Sequence, residues 1–179
     1  MESQLDLPGN QLCGLDVLGR GTYNAEGITA IADALRVNGV LTMLSLAKNK
    51  LEADGTKAIC EALEQNKTLK ELDISGNWIG DSNIGGSAGV KHVAKMLSFN
   101  GGLTSIDVRQ NNNVGDGAVQ LAAAVLGNLK IEIFNKIPIK EMRANSLTEL
   151  DLNGKYVGVE GGMVVAGLIP VMGALTQVR

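Results

Sequence analysis

Leu69-Lys70-Glu71-Leu72-Asp73-Ile74-Ser75-Gly76-Asn77 is a phrase that this chain repeats. The same spacing returns at Leu41, Leu44, Leu46 and Asn49, and again at Leu103, Ile106, Val108 and Asn111. It returns a last time, cut short, at Leu147, Leu150 and Leu152. The last two apolar positions of each phrase alternate with one residue between them, which is the period of a strand. Strands this short cannot bury their own apolar face, so each unit must stack on its neighbours.

Working outward from the phrase, Gly27, Gly55, Gly89, Gly117 and Gly161 each open a segment of helical pattern. Eleven residues later stand Asn38, Asn66, Asn100 and Asn128, with Met172 breaking the series. Asparagine tolerates the left-handed conformation that ends many helices, which makes it a stop signal here. Between Gly and Asn, apolar columns align at Ile31, Ile59, Val93, Leu121 and Val165, and at Leu35, Leu63, Leu97, Val125 and Ile169. The i, i+4 spacing puts both columns on one helix face. A small residue sits between them at Ala32, Cys60, Ala94, Ala122 and Ala166, where close approach of a neighbouring element is expected. The unit is then a strand, a turn at the asparagine and a helix of about 12 residues, repeating near every 28. Stacked, these units predict an α/β right-handed solenoid with about six parallel strands on its concave side and helices on its convex side.

The phrase LxxLxLxxN, carried in long units that each include a helix, resembles the ribonuclease-inhibitor-like class of leucine-rich repeats. That class supplies repeat domains to nucleotide-binding innate immune receptors and to the Ran GTPase-activating protein. The resemblance covers essentially the whole chain, 1–179, as one domain. It implies a horseshoe segment that binds a protein partner through its concave sheet face and its strand-to-helix loops. The alternative it implies is a regulator of an enzyme, such as a GTPase activator.

Departures from the period are informative. From Leu44 to Leu72 is 28 residues, but from Leu72 to Ile106 is 34, and the excess lies in 81–87. At the N-terminus two registers compete. One makes Leu5–Leu7 the first strand and leaves Gly14–Asn24 as an insertion; the other takes Leu15–Val17 as the strand. The first is preferred because it also places Asn10 in the asparagine column. Near the other end, Ile131-Glu132-Ile133 reads as a strand, and Pro138 with a short unit excludes a full helix before Leu150. An extended crossing or a single helical turn is expected there. The chain starts in a strand and stops in the partial phrase Leu175–Val178. It therefore reads as a segment of a longer array, with self-association through open strand edges as an expectation.

Composition narrows the chemistry. The chain of 179 residues is 45% hydrophobic but only 3% aromatic, so its core is aliphatic. Its formal net charge of −3 argues against nucleic acid and anionic membrane as partners. With no charged-then-apolar leader and two cysteines lacking disulfide or metal spacing, a cytoplasmic protein is expected. The middle residue between the paired strand apolars should face the concave side about 4.8 Å from its neighbours. Those residues are Asp6, Ser45, Asp73, Asp107, Glu132 and Asp151, joined two positions earlier by Glu71 and Glu149 and later by Arg109. This acidic ladder is the candidate binding stripe for a basic protein surface. The competing reading is a solvated face, in which the carboxylates bond neighbouring Ser, Lys and Arg or cap turns. Trp78 replaces the polar residues found in its column, so it is either a binding hot spot or packed beneath the 81–87 loop. His92 is the only histidine, and no phosphate-binding loop, metal cluster or nucleophile–base pair is present in the sequence. No enzyme, cofactor or metal is expected.

Overall fold

A computed structural model describes residues 3–80, 86–111 and 115–179. Strands β1 (Ser3–Asp6), β2 (Leu41–Ser45), β3 (Glu71–Asp73) and β4 (Ser105–Asp107) pair in parallel, each with the next. Leu5, Leu44, Leu72 and Ile106 stand in one register, followed by Asp6, Ser45, Asp73 and Asp107. Leu5–Leu7 is therefore the first strand position. Leu15 instead makes an isolated antiparallel bridge to Gly21 inside the 14–24 insertion. Between the strands run helices α1 (Glu26–Val37), α2 (Glu52–Gln65), α3 (Ala88–Phe99) and α4 (Gly117–Gly127), each packed on the next. Leu35, Leu63, Leu97 and Val125 are buried, as are Ala32, Cys60, Ala94 and Ala122. The column one residue after the opening glycine is buried too, at Ile28, Thr56, Val90 and Ala118.

Asparagine ties the units together along two lines. At the turns, Asn49 Oδ1 accepts the Asn10 N–H at 2.8 Å, Asn77 Oδ1 accepts that of Asn49 at 2.8 Å, and Asn111 Oδ1 accepts that of Asn77 at 2.6 Å. At the helix ends, Asn66 Nδ2 donates to Leu35 O and Asn38 O. Asn100 and Asn128 repeat that pattern on the unit before each. The helix-end asparagines have extended backbone, with φ between −74 and −87, rather than the left-handed turn the sequence pattern implied. They are selected for their side-chain amide, which accepts from its own turn and donates to the neighbouring unit. Buried carbonyls left unmet would cost about 1–3 kcal/mol each.

The regular stack ends at residue 131. Strand β5 (Ile133–Phe134) pairs in parallel with β4, with Phe134 opposite Ile106. The concave position of this unit thus falls at Asn135, and Glu132 lies outside the ladder. The sequence register at Ile131–Ile133 was early because Ile131 occupies the column of Leu69 and Leu103, the first apolar position of the phrase. The chain then reverses through Asn135 and Lys136, both with positive φ (51 and 64), which is the backbone of a type I′ hairpin turn. Strand β6 (Ile137–Pro138) returns antiparallel to β5 and closes this edge of the sheet. The expected run of six parallel strands is therefore five, followed by one antiparallel. Pro138, which has no N–H, stands on an outer strand, where that loss is tolerated.

A five-residue helix α5 (Ile139–Arg143) follows, the helical turn that was one of the two forms expected. It brings Arg143 to the end of α4. Arg143 Nη2 donates to Val125 O at 2.9 Å and Asn128 O at 3.2 Å, the two carbonyls that a further ladder asparagine would take. A guanidinium has donors to spare for such a site, and Nη1 also reaches Ile131 O at 2.8 Å. Beyond it, β7 (Glu149–Leu150) pairs in parallel with β8 (Gln177–Val178) in a separate two-stranded sheet. Between them lies helix α6 (Gly158–Leu168), which packs on α4. The α6 face is rotated from the expected columns. Val164, Leu168 and Met172 are buried, whereas Val165 is half-buried and Ile169 and Ala166 are exposed.

Candidate functional site

The concave face of β1–β4 forms a shallow trough of about 250 Å³. Asp6, Ser45, Glu71, Asp73 and Asp107 line it, with Lys136 at the hairpin end. Parallel pairing in register brings Asp6, Ser45, Asp73 and Asp107 into one row, as the sequence predicted for the first four strands, with Glu71 in the adjoining row beside Met43 and Ser105. Their environments differ. Asp6 and Glu71 are exposed and Asp73 is half-buried, and among the described residues none of the three has an ion pair. Asp107 is only 8% exposed and is gripped by Arg109, through Nε at 2.9 Å to Oδ1 and Nη2 at 2.8 Å to Oδ2. The bound carboxylate, with Asp73 nearby, raises the Arg109 pKa, although partial desolvation opposes this. Lys136 Nζ approaches the same carboxylate at 3.9 Å.

The aspartates also serve the backbone. Asp73 Oδ1 accepts the Ser75 N–H, Asp107 Oδ1 that of Arg109, and Asp151 Oδ1 that of Asn153. Each closes the turn that follows its strand, a common use of short acceptors. The residue type at this column thus has a local structural cause as well as a surface consequence. Glu71 has no such local role.

Three predicted members lie elsewhere. Glu132 is ion-paired with Lys140 at 2.9 Å beside the hairpin. Glu149 and Asp151 belong to the β7–β8 sheet, where Glu149 meets Arg179 at 3.3 Å. The hairpin is the reason, because β6 occupies the edge on which β7 would have paired. Residues that the sequence reading passed over, Gln4, Met43 and Lys136, do line the trough. Lys136 could have been found only by recognising the hairpin turn.

Trp78 is half-buried with φ of 62, a conformation it shares with Gln11 and Lys50 in the same turn column. Lys50 Nζ sits 3.4 Å from the ring centroid, a cation–π contact. Gly19 of the 14–24 insertion lies against the ring's other atoms, where an added Cβ would come within 2.8 Å of Trp78. The tryptophan is therefore a support for the N-terminal insertion. The 81–87 loop proposed to cover it lies largely outside the described residues. The insertion is further tied down by Tyr23, whose hydroxyl donates to Leu51 O at 2.8 Å and accepts the Gly55 N–H at 3.2 Å. Burial pushes the Tyr23 hydroxyl pKa up, and burial likewise pushes the Cys13 thiol up to about 11.

Cys13 and Cys60 are both buried and free. His92 is half-buried on α3, and desolvation followed by Lys57 lowers its pKa. Among the described residues no group of three or more His, Cys, Asp or Glu side chains could hold a metal ion. No helix among them is long and apolar enough to cross a membrane.

Comparison with known proteins agrees with this geometry. The family described as Leucine Rich repeat matches residues 65–82, the stretch that includes β3 and its turn asparagine. No curated protein matches the sequence. Among solved structures, the chain is similar to the tropomodulin C-terminal domain of Caenorhabditis elegans, at 10% identity and a TM-score of 0.59. That match covers 74% of this chain and 72% of that one. It is also similar to leiomodin-1 actin-binding site 2, at 16% identity and a TM-score of 0.57, over 74% of this chain and 68% of that one. With four parallel strands in register, asparagine turns and a helix returning each strand to the next, the chain has the fold of a leucine-rich repeat solenoid.

Proposed function

We propose that this protein is an interaction module whose concave face, centred on Asp6, Glu71 and Asp73, holds a basic segment of a protein partner. The observation that carries this reading is the trough itself. Four carboxylates line it against Lys136, with Arg109 committed to Asp107. Asp6, Glu71 and Asp73 have no ion pair among the described residues, and such carboxylates attract a basic surface, speed its approach and fix its register. The parallel repeats space those charges along a row that an extended segment can follow. Leiomodin-1 carries an actin-binding site on a related architecture, which supports a protein as the kind of partner, while 16% identity carries over the fold alone. Glu132, Glu149, Asp151 and Trp78 are left out of the proposed surface, because each is engaged elsewhere. Two buried free thiols suit a reducing compartment, and we read the protein as cytoplasmic.

Affinity capture from native extract tests the reading, with Glu71→Lys/Asp73→Lys as the control bait. Glu71 is exposed and Asp73 half-buried, both on β3 and away from the helices, so helicity by circular dichroism should be unchanged. A basic partner should be retained by the parent protein, lost from the double variant and released by raised salt. A partner held equally by both baits, with no salt dependence, would reject the concave face.

A further inference from the structure

The helix side of the molecule carries a second, larger concavity of about 800 Å³, between the C-terminal halves of α3 and α4. Its origin is legible in the sequence. On α1 and α2 the outward positions hold Asp33, Arg36, Glu61 and Glu64, and ion pairs cross from helix to helix. Arg36 reaches Glu61 at 4.0 Å, and Lys95 of α3 reaches back to Glu64 at 3.0 Å. At the next crossing the corresponding residues of α4 are Ala123 and Leu126, and α4 contains no charged residue at all. Gly127 stands where α2 has Gln65 and α3 has Phe99, while Gly101 stands where the previous unit has Lys67. An added Cβ at either glycine would meet nothing within 4 Å. Beyond the Lys91–Asp116 pair at the start of α4 the charges stop, and the side chains that would fill the groove are missing.

What lines the groove is specific. Phe99 and Leu129 flank it and are 68% and 79% exposed. Ala94, Ala123 and Ala124 line it with short side chains. On the α3 side stand Lys91 and Lys95, and among the described residues no acidic side chain lines it. Lys91 meets Asp116 at 2.7 Å, so both lysines are held by carboxylates outside the groove. Such exposed pairs contribute little, and a new carboxylate can replace the old one at small cost.

We infer that this groove docks an amphipathic helix of a partner protein, with apolar residues at i, i+4 and i+7 between Phe99 and Leu129 and acidic residues along the flank that faces Lys91 and Lys95. A helix fits better than a strand, because the groove runs between two helices and not along a strand edge. The charge of the α3 wall selects an acidic flank over a basic one. This surface is on the side opposite the acidic trough and asks for a partner of opposite charge.

Two fluorescein-labelled helical peptides test it, sharing one Leu/Phe pattern and carrying either Glu or Lys on the flank. Fluorescence anisotropy against the full chain should show the Glu peptide bound at least about tenfold more tightly, equivalent to 1.4 kcal/mol. Ala123→Glu places a carboxylate in the groove at an exposed helical position and should weaken the Glu peptide by about tenfold or more. Glu71→Lys/Asp73→Lys should leave it unchanged, which separates this site from the concave one. Equal binding of both peptides, or binding indifferent to Ala123→Glu, would overturn the inference. A concentration-dependent dimer that Ala123→Glu dissolves and the Glu peptide does not compete for would overturn it too, and would give the groove to a second copy of this chain.

Discussion

The units from β1 to α4 and the stretch from Ile131 to Arg179 are built from the same phrase, yet they are held together differently. In the first region each unit is bound to the next by two asparagine lines, a parallel strand pair and a crossing of helices. In the second, α6 still packs on α4 and β5 on β4, but the asparagine lines give way to single residues. Asn135 Oδ1 accepts the Val108 N–H at 2.8 Å, and its Nδ2 donates to Val157 O and to Glu160 Oε1, each at 3.1 Å. Arg109 Nη1 donates to Lys155 O at 2.8 Å, and Arg143 closes the end of α4. The difference teaches that a repeat array is cohesive only while its polar columns continue. Where they lapse, a few side chains with several donors must substitute for them.

The largest effect should come from the residue where the two regions meet. Phe134 is fully buried on β5, the hairpin strand paired with β4 and β6, and Phe134→Ala should cost about 3–5 kcal/mol in denaturant unfolding. If the regions form one cooperative unit, the whole transition shifts. A biphasic curve with an unmoved major phase would show instead that the first region folds without the second.

Within the first region, Asn77→Ala removes an acceptor for Asn49 N and a donor to Leu46 O, all buried, and should cost roughly 2–3 kcal/mol. Asn153→Ala, at an exposed site after β7, should stay within about 0.5 kcal/mol. Comparable losses at the two positions would erase the distinction between a ladder asparagine and a turn asparagine. Arg143→Ala should cost about 1–2 kcal/mol, and hydrogen exchange should rise first at the C-terminal end of α4. Slow, unchanged exchange there would mean that water replaces the guanidinium without loss.

Glu160 gives the joint a pH dependence. The side chain is 3% exposed, burial raises its pKa, and the Asn135 amide only partly offsets that. A carboxyl whose folded pKa lies above its unfolded value binds more protons when folded, so stability falls as pH rises from about 4.3 through the raised value. Glu160→Gln keeps the acceptor for Asn135 and removes the charge. Its stability relative to the parent should therefore increase as pH rises through that window. A parent-to-variant difference independent of pH would show that the carboxyl is solvated. The smallest effect is expected on the convex surface, where Arg36→Ala should change stability by only about 0.2–1 kcal/mol and less at high salt.

Much of this was legible in the residues. Leucine spacing located β1–β4 and their register, and the competing N-terminal register lost because it left Asn10 without its column. Asn10 N–H indeed joins the turn line. The helix-end asparagines were located correctly and given the wrong backbone, because a left-handed cap and an extended residue with a bridging amide leave the same sequence signal. The acidic trough was legible at Asp6, Glu71, Asp73 and Asp107. It was extended too far at Glu132, Glu149 and Asp151, since a phrase repeated in sequence does not state which edge its strand will find.

What the chain determined alone is therefore local and periodic: which residues alternate into strands, which form the inner face of a helix, and where turns need an amide. These follow from the preferences of each residue and its near neighbours, and the period multiplies a weak signal into a strong one. What only the tertiary structure decided is where periodicity stops. The two residues Asn135 and Lys136 turn β5 back on itself, and the edge so covered sends β7 to a different strand. Arg143 then finds carbonyls 15 and 18 residues away that in other units belong to asparagine. Trp78 acquires its role from Gly19, a residue of an insertion two units earlier. Each of these depends on which surface is already occupied when a segment arrives, and occupancy is a property of the assembled fold that no single stretch of sequence contains.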